Sequence, residues 1–179
     1  MAETATDRRT ARTRGALRRA FVELLLERGY AALTVDDVVR RADVGRSTFY
    51  AHYGGLTRLL RETMDNPSAP LAALVDGAVR PEQLGPLLDH FREQRHRNKV
   101  FFAEPVRAMW VARLGELIQP RLGAGTLRLP PELVALQIAE AQIALIVHWL
   151  AARPSPPADS VCQALAEVTA ALRKALSAP

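Results

Sequence analysis

The sequence predicts an all-α protein in two parts, an N-terminal three-helix helix-turn-helix domain followed by a larger helical domain. Three observations carry that prediction. Apolar residues recur at three- and four-residue spacing along most of the 179 residues. No run alternates apolar and polar residues as a half-buried strand does. Residues 34–53, TVDDVVRRADVGRSTFYAHY, place two short helices around a tight turn.

Taken in order, residues 13–28 carry Leu17, Phe21, Leu24 and Leu25 on one face, with charges on the other and Gly29 as a stop. Residues 1–12 are expected to form a flexible basic arm. Thr34 stands where an N-cap belongs, and Asp37, three residues on, takes the reciprocal capping-box position. Leu33 and Val38 have staple spacing. The second helix is expected over 35–42, a turn at Asp43-Val44-Gly45, and a third helix over 46–52. Gly54-Gly55 separates it from a fourth helix over 56–64. The domain boundary is therefore expected at about residue 62.

Beyond it the composition shifts, and Pro67, Pro70, Pro81 and Pro86 read as helix starts and breaks. Helices are expected over 70–79 and 82–97, then over 105–122 with Pro120 kinking or ending the last, and a loop over 123–131. Residues 132–152 are apolar nearly all round, as a helix buried on more than one side would be. After the connector Arg153-Pro154-Ser155-Pro156-Pro157, residues 158–176 align Val161, Leu165, Val168, Leu172 and Leu176 in a stripe. These last two helices are the expected homodimer interface, each subunit giving two helices to a four-helix bundle.

Charge and composition narrow the function classes. The chain carries a net charge of +5, and residues 1–62 hold 12 arginines against 8 acids, so most of the excess sits in the first third. A basic segment is a footprint for a polyanion or merely a solvated surface, and charge alone does not separate the two. Arginine outnumbers lysine 22 to 2, a bias that a GC-rich genome explains as well as phosphate binding does. Cys162 is the only cysteine, which excludes an internal disulfide framework and a cysteine-built zinc site. His90 and His96, six apart, lack the spacing that puts metal ligands on one helical face. With no glycine-rich phosphate loop, nucleophile elbow or metal-ligand run, no enzyme, catalytic residue, metal or cofactor is expected. The polar N-terminus without an apolar core, and apolar segments broken by charge or proline, point to a cytoplasmic protein without a membrane span.

The helix-turn-helix carries the chemistry. Its first helix lies across a DNA backbone, offering its N-terminal amides and the Thr34 hydroxyl to a phosphate, while the second presents its N-terminal residues to base edges in the major groove. Arg46, Ser47, Thr48 and Tyr50 fall on the groove-facing side. Phe49 falls on the opposite side, with Tyr53 one turn later.

Gly29-Tyr30, Thr34, Val38, Ala42, Val44, the run Ser47-Thr48-Phe49-Tyr50-Ala51-His52-Tyr53, and Leu59-Leu60 together resemble the TetR family of bacterial regulators over residues 13–62. The resemblance implies phosphate contacts from Thr34, Tyr50 and His52, and positions at or near base edges for Arg46, Ser47, Thr48 and Ala51. It implies a homodimer on a palindromic double-stranded DNA operator, and a repressor released by a small-molecule effector. Three positions depart from the pattern: Asp43 replaces the usual turn glycine, Gly45 the usual serine cap, and Leu56 the usual lysine opening the fourth helix. Asp tolerates the left-handed conformation and Gly is an acceptable cap. Leu56 cannot bind a phosphate as that lysine would; Arg58, Arg61 or the arm residues Arg8, Arg9, Arg12 and Arg14 are the candidates to replace the contact, although each taken singly is more readily a solvated charge.

Phe91, Phe101, Phe102, Met109, Trp110 and Trp149 form an apolar set that is either core or pocket lining. Phe91, Phe102, Met109, Trp110, His148 and Trp149 are the expected effector-binding residues, although His148, beside Trp149, also fits a hydrogen-bonded core histidine. The alternative from another class is a helical protein-interaction or scaffold protein whose basic third is only a solubilising surface.

Overall fold

The computed structural model describes residues 5–123, 125 and 127–178. It is all-α, and the chain divides into two compact units, residues 1–63 and 64–179.

In the first unit, α1 (Ala5–Arg28), α2 (Val35–Ala42), α3 (Arg46–His52) and the start of α4 (Leu56–Ala72) surround one core. Leu17, Ala20, Phe21, Leu24 and Leu25 of α1 are buried with Val38, Phe49, Tyr53, Leu59 and Leu60. α2 and α3 fall where the spacing placed them. α1 begins at Ala5 instead of near residue 13. Residues 5–12 contain alanine and arginine and no breaker, so the helix propagates backwards from its packed turns, where each added residue gains a hydrogen bond. Arg8, Arg9 and Arg12 therefore lie on an exposed helix rather than on a flexible arm; residues 1–4 lie outside the described residues.

In the second unit, α4 continues through Pro67 and Pro70 to Ala72, where breaks were expected. Each proline removes one backbone donor. Tertiary burial outweighs that loss, for Met64, Ser68, Leu71 and Ala72 are all buried on one side of the helix. The indole N–H of Trp110 donates to the Ser68 hydroxyl at 2.9 Å, and Arg113 Nε donates to Asp65 Oδ1 at 2.5 Å. The helix expected over 70–79 is accordingly the end of α4 followed by turns. The expected 82–97 helix is a single 3-10 turn at Pro81–Leu84 leading into α5 (Gly85–Glu93).

α6 (Val106–Ile118) ends one residue before a 3-10 turn at Gln119–Arg121, where Pro120 terminates it as expected. α7 (Pro131–Ala151) packs on α6 and on α8 (Ala158–Leu176). At Gly115 of α6 the two helices are near enough that a Cβ would meet Cα and N of Leu136 at 3.7 Å, an ordinary van der Waals contact. Gln142, buried in mid-α7, donates through Nε2 to Leu71 O at 3.2 Å and Thr169 Oγ1 at 2.8 Å, tying α4, α7 and α8 together. Cys162 is buried on α8, and burial pushes its thiol pKa up.

α7 is long and apolar enough to cross a membrane by length and composition; here Val134, Ile138, Ile143, Ile146 and Trp149 are buried in the helical packing. Its other side, and one side of α8, are not covered. Leu133 and Leu136 on α7 and Val168 on α8 are exposed large apolar residues. The stripe expected on α8 is thus split. Val161 and Leu165 are buried with Ala158, Cys162 and Thr169, whereas Val168, at the edge of that row, is exposed.

Candidate nucleic-acid interface

α2 starts where Thr34 closes a capping box. The Asp37 amide donates to Thr34 Oγ1 at 3.2 Å, and the Thr34 amide and hydroxyl donate to Asp37 Oδ2 at 3.1 and 2.6 Å. These bonds, the hydroxyl's first, hold the Asp37 carboxyl below the ordinary aspartate range. Leu33 and Val38 are both buried. α2 stops at Asp43, which takes the left-handed conformation at φ 53, ψ 51 and donates its amide to the Arg40 carbonyl. That conformation reverses the chain within three residues, and Gly45, at φ −71, ψ 149, opens α3 without a side-chain cap. Two of the three departures from the family pattern are thereby accommodated without loss of the turn.

α3 separates its residues by face. Phe49 is fully buried and Tyr53 is 1% exposed, while Arg46, Ser47, Tyr50 and Ala51 are exposed and Thr48 and His52 half-buried. Phe49 anchors the helix from beneath, its ring 5.4 Å edge-on from Tyr50 and 5.8 Å from Tyr53. The expected DNA-contacting residues Thr34, Arg46, Ser47, Thr48, Tyr50, Ala51 and His52 thus all reach solvent, wholly or partly, on or just before these two helices.

Polar partners that spacing did not disclose hold this surface. Tyr53 donates its hydroxyl to Glu62 Oε1 at 3.0 Å; Glu62 also pairs with Arg14 and, at 3.8 Å, with Arg18. Burial pushes the Tyr53 hydroxyl pKa up. Arg14, one of the six arginines offered as alternatives for a phosphate contact, lies over the Tyr53 ring at 5.8 Å and pairs with Glu62, which joins α1 to α4. Tyr30 and Thr57 share a hydrogen bond at 3.1 Å across the loop before α2 and the start of α4. Arg41 bridges Glu23 and Glu27 of α1 at 3.2 and 2.9 Å. Arg46 pairs with Asp36. None of these partners lies at helical spacing, so no periodicity could reveal them. Arg58 is exposed near the start of α4, beside the position where Leu56 replaces lysine.

The expected effector residues divide. Phe91, Phe102 and Trp110 come together, with ring centroids 5.8, 5.7 and 5.3 Å apart, and Phe102 stacks on the indole. Met109, next to Trp110 in α6, is half-buried. His148 is exposed in the single chain and so is not a core histidine: it lies on the side of α7 opposite Ile146 and Trp149. Trp149 is buried, but its indole N–H donates to Pro156 O at 2.8 Å and so ties the proline-rich connector to α7. A separate open cleft of 460 Å³ lies between Leu74–Gly77 and the C-terminal turns of α8, where Arg173 donates to the Val75 carbonyl at 2.8 Å.

Comparison with known proteins places this geometry. Residues 17–63 match the family model described as bacterial regulatory proteins, tetR family. These residues are thus similar to the N-terminal domain of that family. The match runs from within α1 to the first turns of α4, nearly the same stretch as the resemblance read over residues 13–62. A curated relative, an uncharacterized HTH-type transcriptional regulator YxbF of Bacillus subtilis, is 39% identical over 78 residues, which is 43% of this chain and 20% of that protein. The chain thus spans about a fifth of that relative's length. Solved structures resemble the chain over nearly all of it. A TetR transcriptional regulator from Streptococcus agalactiae has a TM-score of 0.60 at 24% identity, covering 92% of this chain and 97% of that one. A full-length TetR regulator, tylp, from Streptomyces fradiae has 0.56 at 18%, covering 96% and 89%. At these identities the likeness establishes the fold alone: an N-terminal helix-turn-helix domain followed by a helical domain.

Proposed function

We propose that this protein is a sequence-specific regulator of transcription that binds double-stranded DNA as a homodimer and acts by binding rather than by catalysis, in the cytoplasm. The observation that carries the reading is the division of α3, with Phe49 and Tyr53 buried beneath while Arg46, Ser47, Tyr50 and Ala51 stand clear on a helix entered by a tight turn. A helix so presented can enter the major groove. Thr34 and the amides opening α2 receive a phosphate, Tyr50 and His52 contact the backbone, and Arg46, Ser47, Thr48 and Ala51 meet base edges.

The uncovered sides of α7 and α8, with Leu133, Leu136 and Val168 exposed, supply the dimer face. A two-fold dimer sets two α3 helices ~34 Å apart, or a multiple of that, and so requires a palindromic operator. A small apolar effector would bind at the aromatic group Phe91, Phe102 and Trp110, with Met109 alongside, by parting rings that now touch one another. Trp110 and Arg113 hold α4 through Ser68 and Asp65, so a ligand that displaces Trp110 moves α4, the helix that also carries Leu59 and Leu60 of the DNA-binding unit. Release of a repressor follows if the effector binds the displaced state more tightly.

The test is selection of bound sequences from a random duplex pool by the purified full chain, followed by affinity measurement against salt. One palindromic motif and a steep inverse salt slope are expected. Arg46→Ala is expected to weaken operator binding by ~1 to 3 kcal/mol and relax base preference at one position of each half-site. Failure to enrich any motif overturns the reading.

A further inference from the structure

The start of α3 holds an ion pair whose effect on recognition follows from its geometry. Arg46 Nη1 donates to both carboxylate oxygens of Asp36, at 2.9 Å to Oδ1 and 3.2 Å to Oδ2. The same guanidinium stands 6.0 Å from the centroid of the Tyr50 ring. The two side chains remain 61% and 55% exposed, and pairs this exposed add little to stability. What the pair changes is the set of contacts open to Arg46.

An unpaired arginine at the lip of a helix-turn-helix is drawn to the nearest phosphate, an attraction that any DNA sequence satisfies. Asp36 opposes it twice. Its carboxylate repels an approaching phosphate, and it occupies Nη1, holding the guanidinium between α2 and the Tyr50 ring. The Nε–Nη2 edge is not part of the ion pair. Two parallel donors on such an edge match the O6 and N7 acceptors that guanine presents in the major groove.

We propose that Asp36 is a specificity-determining residue, which positions Arg46 for a base edge and lowers the affinity of the domain for DNA of arbitrary sequence. This rests on the reading of α3 as the base-contacting helix. It is discrimination by an added repulsive element, since the same carboxylate that orients the donor also penalises the sequence-independent complex.

The test uses the full chain and two probes: the duplex enriched from the random pool and a scrambled duplex of the same composition. Asp36→Ala is expected to bind the scrambled duplex more tightly, with its salt slope steeper by about one counterion. The ratio of enriched to scrambled affinity is expected to fall about tenfold. In an Arg46→Ala background the same substitution should leave that ratio unchanged. Asp43→Asn, which removes a negative charge from the same unit without touching Arg46, should also leave it unchanged. Asp36→Asn, neutral and of the same size, repeats the measurement should the alanine variant fail to fold. An unaltered ratio in both Asp36 variants overturns the proposal, as does an equal fall with and without Arg46, which would mark a bulk charge effect. If the parent enriches no motif, the reading of α3 fails and this proposal fails with it.

Discussion

Replacing Ser68 by alanine removes one oxygen, yet it should be among the costlier small substitutions in the second unit. Ser68 is 0% exposed, and its hydroxyl accepts the indole N–H of Trp110, itself 2% exposed, at 2.9 Å. Alanine at 68 leaves that N–H inside an apolar surround of Phe91 and Phe102 with no acceptor in its place. An unsatisfied buried donor costs ~1–3 kcal/mol, and the volume removed is too small to add much. For a chain of this length each kcal/mol corresponds to roughly 2–4 °C in Tm, so a fall of about 4–8 °C is expected for the mid-range cost. Urea and thermal unfolding of Ser68→Ala, Trp110→Phe and the double variant form the assay. In the double variant no donor is left stranded, so Ser68→Ala should cost under about 0.5 kcal/mol in the Trp110→Phe background. Equal costs in both backgrounds would refute the reasoning, because the penalty would then have nothing to do with the indole N–H.

Three further outcomes are expected. Thr34→Ala removes the hydroxyl from the capping box and should destabilise the first unit by about 1 kcal/mol, read by chemical unfolding. Because Asp37 titrates below the ordinary aspartate range in the folded chain, its stabilising bonds are fully present above about pH 4 and are lost as the pH falls through the folded value. The stability gap between parent and Thr34→Ala should therefore narrow below about pH 4; a gap that widens there would contradict the assignment. Gly115→Ala should raise stability by roughly 0.5–1 kcal/mol, since the position is mid-helix and the added methyl meets Leu136 at an ordinary 3.7 Å; a lowered Tm would mean that α6 and α7 cannot accept it. Leu136→Glu should leave helicity and monomer folding intact while raising the dimer dissociation constant about 100-fold by sedimentation, the effect of an unpaired charge in a closed interface; an unchanged constant would move the interface elsewhere.

Local patterns were enough to place much of the first unit. The capping box at Thr34, the left-handed Asp43 and the α3 sequence each act within four or five residues, so chain spacing alone located α2 and α3 and separated Arg46, Ser47, Thr48 and Tyr50, wholly or partly exposed, from Phe49. α8 was equally legible, because a proline-rich connector precedes an uninterrupted amphipathic run. The aromatic group was legible only as composition. Which of its members meet depends on how α5 and α6 pack, and that packing brought Phe91, Phe102 and Trp110 together while leaving Trp149 to hold the connector.

What the sequence by itself determined is the set of features with short-range causes: the all-α class, the helix-turn-helix and the face of α3 turned to solvent. Only the tertiary structure decided the rest. α4 passes through Pro67 and Pro70 because burial and the Trp110–Ser68 and Arg113–Asp65 bonds outweigh two missing backbone donors. His148 is exposed because α7 turns its opposite side inward. Arg14 belongs to Glu62 and Arg46 to Asp36 because those carboxylates arrive from other helices. Spacing along one helix reports which residues share a face; which partner covers that face, and which charge meets it, depends on contacts between residues far apart in the chain.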